Sequence, residues 1–191
     1  MILLETERLI LRNWRESDRD LFREINRDPK VMEFFPFRRS HAEADEMMDR
    51  VKRLITETGF CFYAVELKET AEPMGFCGLS DAALPDILPE GTTEIGWRLA
   101  TRFWGHGYVT EAAKALLDHA FLTEKLREVV SFAVHNNQRS IAVMERLGMR
   151  RDPGGDFDHP RVPETHPHLK RHVLYRLKAR EWIRLQVSSS A

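Results

Sequence analysis

The stretch Glu94-Ile95-Gly96-Trp97-Arg98-Leu99-Ala100-Thr101-Arg102-Phe103-Trp104-Gly105-His106-Gly107-Tyr108-Val109-Thr110-Glu111-Ala112 changes character halfway through, and that change decides the fold. Residues 93–100 read as a strand. From Thr110 onward Ala112, Ala113, Leu116, Leu117, Ala120 and Phe121 return every three or four residues, which predicts an amphipathic helix over 110–123. Residues 102–108 lie between the two and carry Gly105 and Gly107. Glycines in such a loop let successive N–H groups converge on an anion, and the helix start adds its dipole. A diphosphate is the natural guest, although Gly-x-Gly pairs also serve as plain tight turns.

Downstream, Val129, Val130, Phe132 and Val134 predict a strand over 128–134, and Asn136 or Asn137 caps a helix carrying Ile141, Met144 and Leu147. Gly148 stands where a left-handed helix terminus belongs. Residues 152–167 read as irregular, and alternation of Val173, Tyr175 and Leu177 predicts a last strand over 171–178. Upstream, residues 8–14 read as a strand, and Ser17 opens a short helix that Pro29 stops. Ser40 and Glu43 form a capping box. Behind it Ala44, Met47, Met48, Val51, Leu54 and Ile55 make one apolar stripe ending before Gly59. Strands follow at 60–67 and 75–80, and the prolines of 84–91 mark a long loop that can touch a substrate. Strands first, then a strand-loop-helix-strand-helix unit, predict an α/β (α+β) domain over 1–180, a mixed twisted sheet with helices on it. Residues 181–191 read as a tail with a disordered end, Ser188-Ser189-Ser190-Ala191.

Composition narrows the function. With 29 Lys plus Arg against 30 Asp plus Glu, the net charge is −1, which gives no field suited to nucleic acid. No apolar run approaches the roughly 18 residues of a membrane span. The opening residues are too acidic for a signal peptide, so a cytoplasmic location is expected. Cys61 and Cys77 make neither a disulfide framework nor a zinc motif. His168-x-x-x-His172 lies where nothing fixes a ligand geometry, and no metal is expected.

Two nucleotide fingerprints fail. A Rossmann turn needs a third small residue where Thr110 stands and an acid closing the next strand, which ends instead in His135 and Asn136. A P-loop needs Lys and Ser or Thr after its last glycine, and both are missing. What remains is Arg102-x-x-Gly105-x-Gly107, which resembles the acetyl-CoA pyrophosphate loop of the GCN5-related N-acetyltransferases (GNAT). The run from Glu94 to Ala112, the segment Asn137-x-x-Ser140-x-x-Val143-Met144-Glu145-Arg146-Leu147-Gly148-Met149 and the opening Glu5-Thr6-Glu7-Arg8-Leu9 are similar to the branch of Rim-type ribosomal-protein N-terminal acetyltransferases.

The resemblance implies a V-shaped splay of parallel strands, 93–100 and 128–134, with helices on both faces of the sheet and acetyl-CoA in the splay. It implies a cofactor-binding set of Ile95, Trp97, Leu99, Arg102, Gly105, His106, Gly107, Tyr108 and Asn137. The loop amides would hold the pyrophosphate and the 95–99 backbone the pantetheine arm. Arg102 either adds charge or is a surface side chain. Glu94 matches the position of the general base in several members, or is an ordinary strand acid. Glu66 and Asp81 are weaker candidates. The usual thiolate-protonating Tyr is replaced here by Met144, which cannot donate a proton, leaving Ser140 as the candidate donor. The acceptor would be an amine, on a protein N-terminus or a small molecule, and the chain would form a homodimer. A non-catalytic acyl-CoA-binding module is the alternative. Residues 156–160 and Phe34, Phe35 and Phe37 could wall the acceptor cleft. Core burial is the expected fate of two of those three rings.

Overall fold

The computed structural model describes residues 1–189, and the chain divides into two compact units, Met1–Ser80 with Gly96–Ala115 and Asp81–Ile95 with Leu116–Ala191. In the first, β1 (Ile2–Glu5), β2 (Leu9–Arg12), β3 (Phe62–Leu67) and β4 (Glu72–Asp81) pair antiparallel in that order. The next strand in the sheet is β5 (Thr93–Leu99), whose last four residues belong to this unit. Gly75 makes the β4–β5 approach possible. Its φ is +142°, and a Cβ there would lie 2.1 Å from the Arg98 carbonyl oxygen. Strand β1 has no counterpart in the sequence reading, because exposed Ile2 breaks the alternation that marks a half-buried strand.

Helices α1 (Arg19–Ile25) and α2 (His41–Thr58) bury Leu21, Phe22 and Ile25, and Ala44, Met48, Val51 and Ile55. The capping box forms as expected: the Ser40 hydroxyl accepts from the Glu43 N–H, and Glu43 accepts from the Ser40 N–H at 2.7 Å. Ahead of α1 the expected Ser17 cap does not form. Asp18, 1% exposed, accepts the Arg15 N–H at 2.7 Å from within a 3₁₀ turn, Glu16–Asp18. The same carboxylate receives Arg12 in two hydrogen bonds, and Arg12 Nε donates to Glu66 at 2.6 Å. Burial works against the Arg12 charge, and Asp18 and Glu66 together outweigh it, so the guanidinium is raised above its ordinary value. Glu66 is bonded also by Arg15 at 3.0 Å.

The second unit begins with the first residues of β5, which pair in parallel with β6 (Glu128–Val134) at Glu94 and Val130. Strand β6 then runs antiparallel to β9 (Arg171–Lys178), from Glu128 opposite Lys178 to Val134 opposite His172. Two short strands also pair with β9: β7 (Arg150–Arg151), just before the stretch read as irregular, and β8 (Phe157–Asp158) inside it. The sheet is therefore mixed, with one parallel pair. Its helices are α3 (Tyr108–Asp118), which starts in the first unit and ends in a π-turn over His119–Thr123, α4 (Gln138–Arg146) and α5 (Ala179–Ser189). Trp182 of α5 is buried and donates to Asp118 at 2.8 Å. The stretch read as a tail is thus helical through Ser189, while Ser190 and Ala191 lie outside the described residues.

Candidate functional site

The glycine loop keeps the geometry its sequence asks for. Gly105 and Gly107 have φ of +82° and +80°, a region that side-chain-bearing residues rarely enter, and α3 starts directly after at Tyr108. The loop is held from an unexpected quarter. Glu111, in the first turn of α3, accepts from the Thr6 hydroxyl at 2.5 Å, the Arg8 N–H at 3.0 Å and Arg8 Nε at 2.7 Å. Arg8 also donates to the His106 carbonyl at 3.2 Å and lies 4.7 Å over the Tyr108 ring, on which His106 stacks. Burial opposes the Glu111 charge, and these donors overcome it, holding the carboxyl below its usual range. Arg102 is paired with Glu24 at 2.5 Å and Glu72 at 3.3 Å. Trp104 Nε1 donates to the Leu99 carbonyl at 2.9 Å.

In the second unit Glu94 opens the parallel pair. Burial pushes its carboxyl up to about 8, with Arg161 opposing and Asp81 adding to the rise. Asp81 and Arg161 converge on Ala83: Asp81 accepts the Ala83 N–H at 2.7 Å, and Arg161 donates to the Ala83 carbonyl at 2.6 Å. Ala83 has a φ of +49°. The loop after it is anchored by Leu84 and Leu88, buried with Val130, Phe157 and Leu174. Ser131 of β6, for which the sequence carried no signal beyond a polar residue in an apolar strand, donates to the Ile95 carbonyl at 2.9 Å and is 4% exposed. Asn137 caps α4, its Oδ1 accepting the Ser140 N–H at 3.2 Å. The side-chain amide NH₂ of Asn137 and the half-buried Ser140 hydroxyl are the chemically useful groups at that terminus.

Aromatic and imidazole rings gather beside β9. Phe132, Phe157, His159 and His172 lie with centroids 4.8–6.2 Å apart. His172 Nδ1 donates to the Lys170 carbonyl, and His159 Nδ1 accepts the Arg161 N–H. Burial, then His172 and Arg161, lowers His159 to about 4. His172 is lowered too, chiefly by burial, so both are neutral at pH 7. No group of three or more metal-ligating side chains occurs among the described residues.

The phenylalanines before α2 behave differently from expectation. Phe35 and Phe37 are 39% and 45% exposed, because Met32 takes the core position of that segment. Their rings lie instead over guanidinium groups: Arg98 is 4.4 Å from Phe35 and 5.3 Å from Phe76, and Arg39 is 4.8 Å from Phe37.

A family model described as an acetyltransferase (GNAT) domain matches residues 8–150. The chain is 32% identical over 148 residues to YkkB of Bacillus subtilis (strain 168), covering 76% of this chain and 84% of that protein. To the N-acetyltransferase p20 of Bacillus licheniformis it is 28% identical over 155 residues, 80% of this chain and 84% of that one. A solved acetyltransferase (GNAT family) from Bacillus anthracis shares the fold with a TM-score of 0.78 at 24% identity, over 95% of this chain and 100% of its own. No helix among the described residues is long and apolar enough to cross a membrane. With that family model spanning well over half of a chain built around this mixed sheet and glycine loop, the protein belongs to the GNAT acetyltransferase family and is an acyltransferase.

Proposed function

We propose that the protein transfers the acetyl group of acetyl-CoA to a primary amine by direct attack within a ternary complex. The observation that carries this reading is Glu94, a carboxyl whose burial brings its pKa to about 8. An attacking amine must shed a proton, and a base with a pKa near working pH does this best. Glu94 takes that proton. Loss of the proton from Glu94 as pH rises through about 8 supplies the basic form, so the rate climbs to that pH and levels above it.

Binding follows from the loop. The amides of Gly105, Gly107 and Tyr108 at the start of α3 suit the pyrophosphate of acetyl-CoA, and the backbone of Ile95 to Leu99, with Trp97, suits its pantetheine arm. The open space around Gly105 and the distance of 3.7 Å from a Gly107 Cβ to Arg8 fit a loop shaped for a ligand. Asn137 contributes its amide NH₂ to the same co-substrate. Arg102, already paired with Glu24 and Glu72, contributes less charge than its sequence position suggests. The Ser140 hydroxyl donates to the departing thiolate, which Met144, wholly buried, cannot do.

Thiol release from acetyl-CoA over a panel of amines tests this directly. Glu94→Gln is expected to lower kcat/KM by about 10²–10⁴-fold. It should also remove the limb near pH 8 from the rate profile. Full turnover in Glu94→Gln would exclude Glu94 as the base, and CoA binding without thiol release for any amine would leave a non-catalytic acyl-CoA module.

A further inference from the structure

Several arginines of the chain sit among carboxylates. Arg12, Arg19, Arg23 and Arg176 each meet two or more carboxylates. Arg98 and Arg39 do not. Arg98 donates Nη1 to Asn26 Oδ1 at 2.6 Å and is flanked by Phe35 and Phe76, with no ion pair among the described residues. Burial lowers its guanidinium to about 9, with Arg39 adding to the drop. Arg39 has a buried Nε without any hydrogen-bond partner. Burial lowers it as well, against Glu43, whose carboxylate is already bonded to Ser40.

Asn26 ties the two together. Its side chain, wholly buried, accepts from Arg98 while its Nδ2 is fixed on the Phe22 carbonyl, and its own carbonyl accepts the Arg39 N–H at 3.0 Å. Two cations are thus set in place by one asparagine under two exposed rings 6.1 Å apart, neither in an ion pair among the described residues, with Glu43 acting on Arg39 alone. An uncompensated buried charge is costly. Arg39 also lines a cleft of about 720 Å³ with Arg27, Arg38, Glu24 and Asp28, so it is reachable from outside. The two acids there are occupied, Glu24 by Arg102 and Asp28 by the N–H groups of Lys30 and Val31.

We infer that Arg98 and Arg39, walled by Phe35 and Phe37, form a binding site for a carboxylate carried by the acceptor amine. A guanidinium edge matches a planar carboxylate, and the rings accept the flat or aliphatic group behind it. The role of this ligand as acceptor rests on the acetyl-transfer reading; its binding does not.

The test uses a non-reacting probe and a matched pair of amines. Phenylacetate, but neither phenylacetamide nor inorganic phosphate, is expected to raise the Tm of the wild-type protein. In Arg98→Gln and in Arg39→Gln that rise should vanish, and Arg39→Gln serves by itself if Arg98→Gln fails to fold. As acceptors, 4-(aminomethyl)phenylacetate and its carboxamide have amines of like basicity. The carboxylate form should show a KM about tenfold lower or better, as befits a charge-assisted hydrogen bond, with kcat little changed. Either substitution should erase the difference. Absence of a phenylacetate effect, persistence of it in both variants, or an equal effect of phosphate would overturn the site. So would loss of the acetyl-CoA shift in Arg98→Gln with the phenylacetate shift retained. A phenylacetate effect that needs both arginines, with neither amine acetylated, would uphold the site and count against the acetyl-transfer reading alone.

Discussion

Single side chains settle several questions that spacing left open. Glu94 and Glu66 are both strand acids, and only their surroundings separate them: Glu66 is claimed by Arg12 and Arg15, while burial and Asp81 raise Glu94 against Arg161. Nothing in the sequence shows which acid meets an arginine, because the partners lie 51 and 54 residues away. The same blindness hid Arg98, whose peculiarity is the counter-charge it lacks. The Arg12 cluster yields a prediction at this scale. Arg12→Met would leave Asp18 and Glu66 buried with their main partner gone, and urea unfolding should show a loss of about 3–5 kcal/mol. Replacing all three by apolar residues of similar volume should recover most of it, since a buried ionic group often gives little net stability over good apolar packing.

Secondary-structure elements were legible where their period was clean. Strands β6 and β9 begin and end where alternation puts them, and α2 begins on its capping box, because one buried face forces each pattern. Elements defined by pairing alone were not. Strand β1 is placed by its hairpin partner β2, the two-residue strands β7 and β8 by β9, and the π-turn that ends α3 falls inside one apolar stripe. Strand β4 shows how much one residue can carry for an element. Gly75→Ala would drive a methyl into the Arg98 carbonyl and force alanine into a φ of +142°. Overpacking and backbone strain together predict a loss of about 3 kcal/mol or more, read from the denaturant midpoint. Because the displaced carbonyl belongs to Arg98, phenylacetate binding should weaken in the same variant.

For the molecule as a whole, pH gives the most direct readout. The Glu94 carboxyl stands at about 8 when folded, against about 4.3 in an unfolded chain. Between those values the folded state holds a proton that the unfolded state has lost, so stability falls as pH rises. His159, at about 4 when folded, acts in the opposite sense up to its unfolded value of about 6.5, and His172 joins it. Below about pH 6.5 the slopes oppose one another; from there to about 8 Glu94 acts without that opposition. Urea unfolding should therefore show a decline of about 1–2 kcal/mol across that interval, and Glu94→Gln should flatten it. The clamp of Thr6 and Arg8 on Glu111 has a consequence in time. It joins residues 103 to 105 positions apart, so the glycine loop cannot be clamped while a nascent chain is still short of its third helix. Closing so long a span comes at a high entropy cost and is a late event in folding. On the co-substrate reading proposed above, capture at this loop would mark a chain in which residues 6 to 111 have already come together.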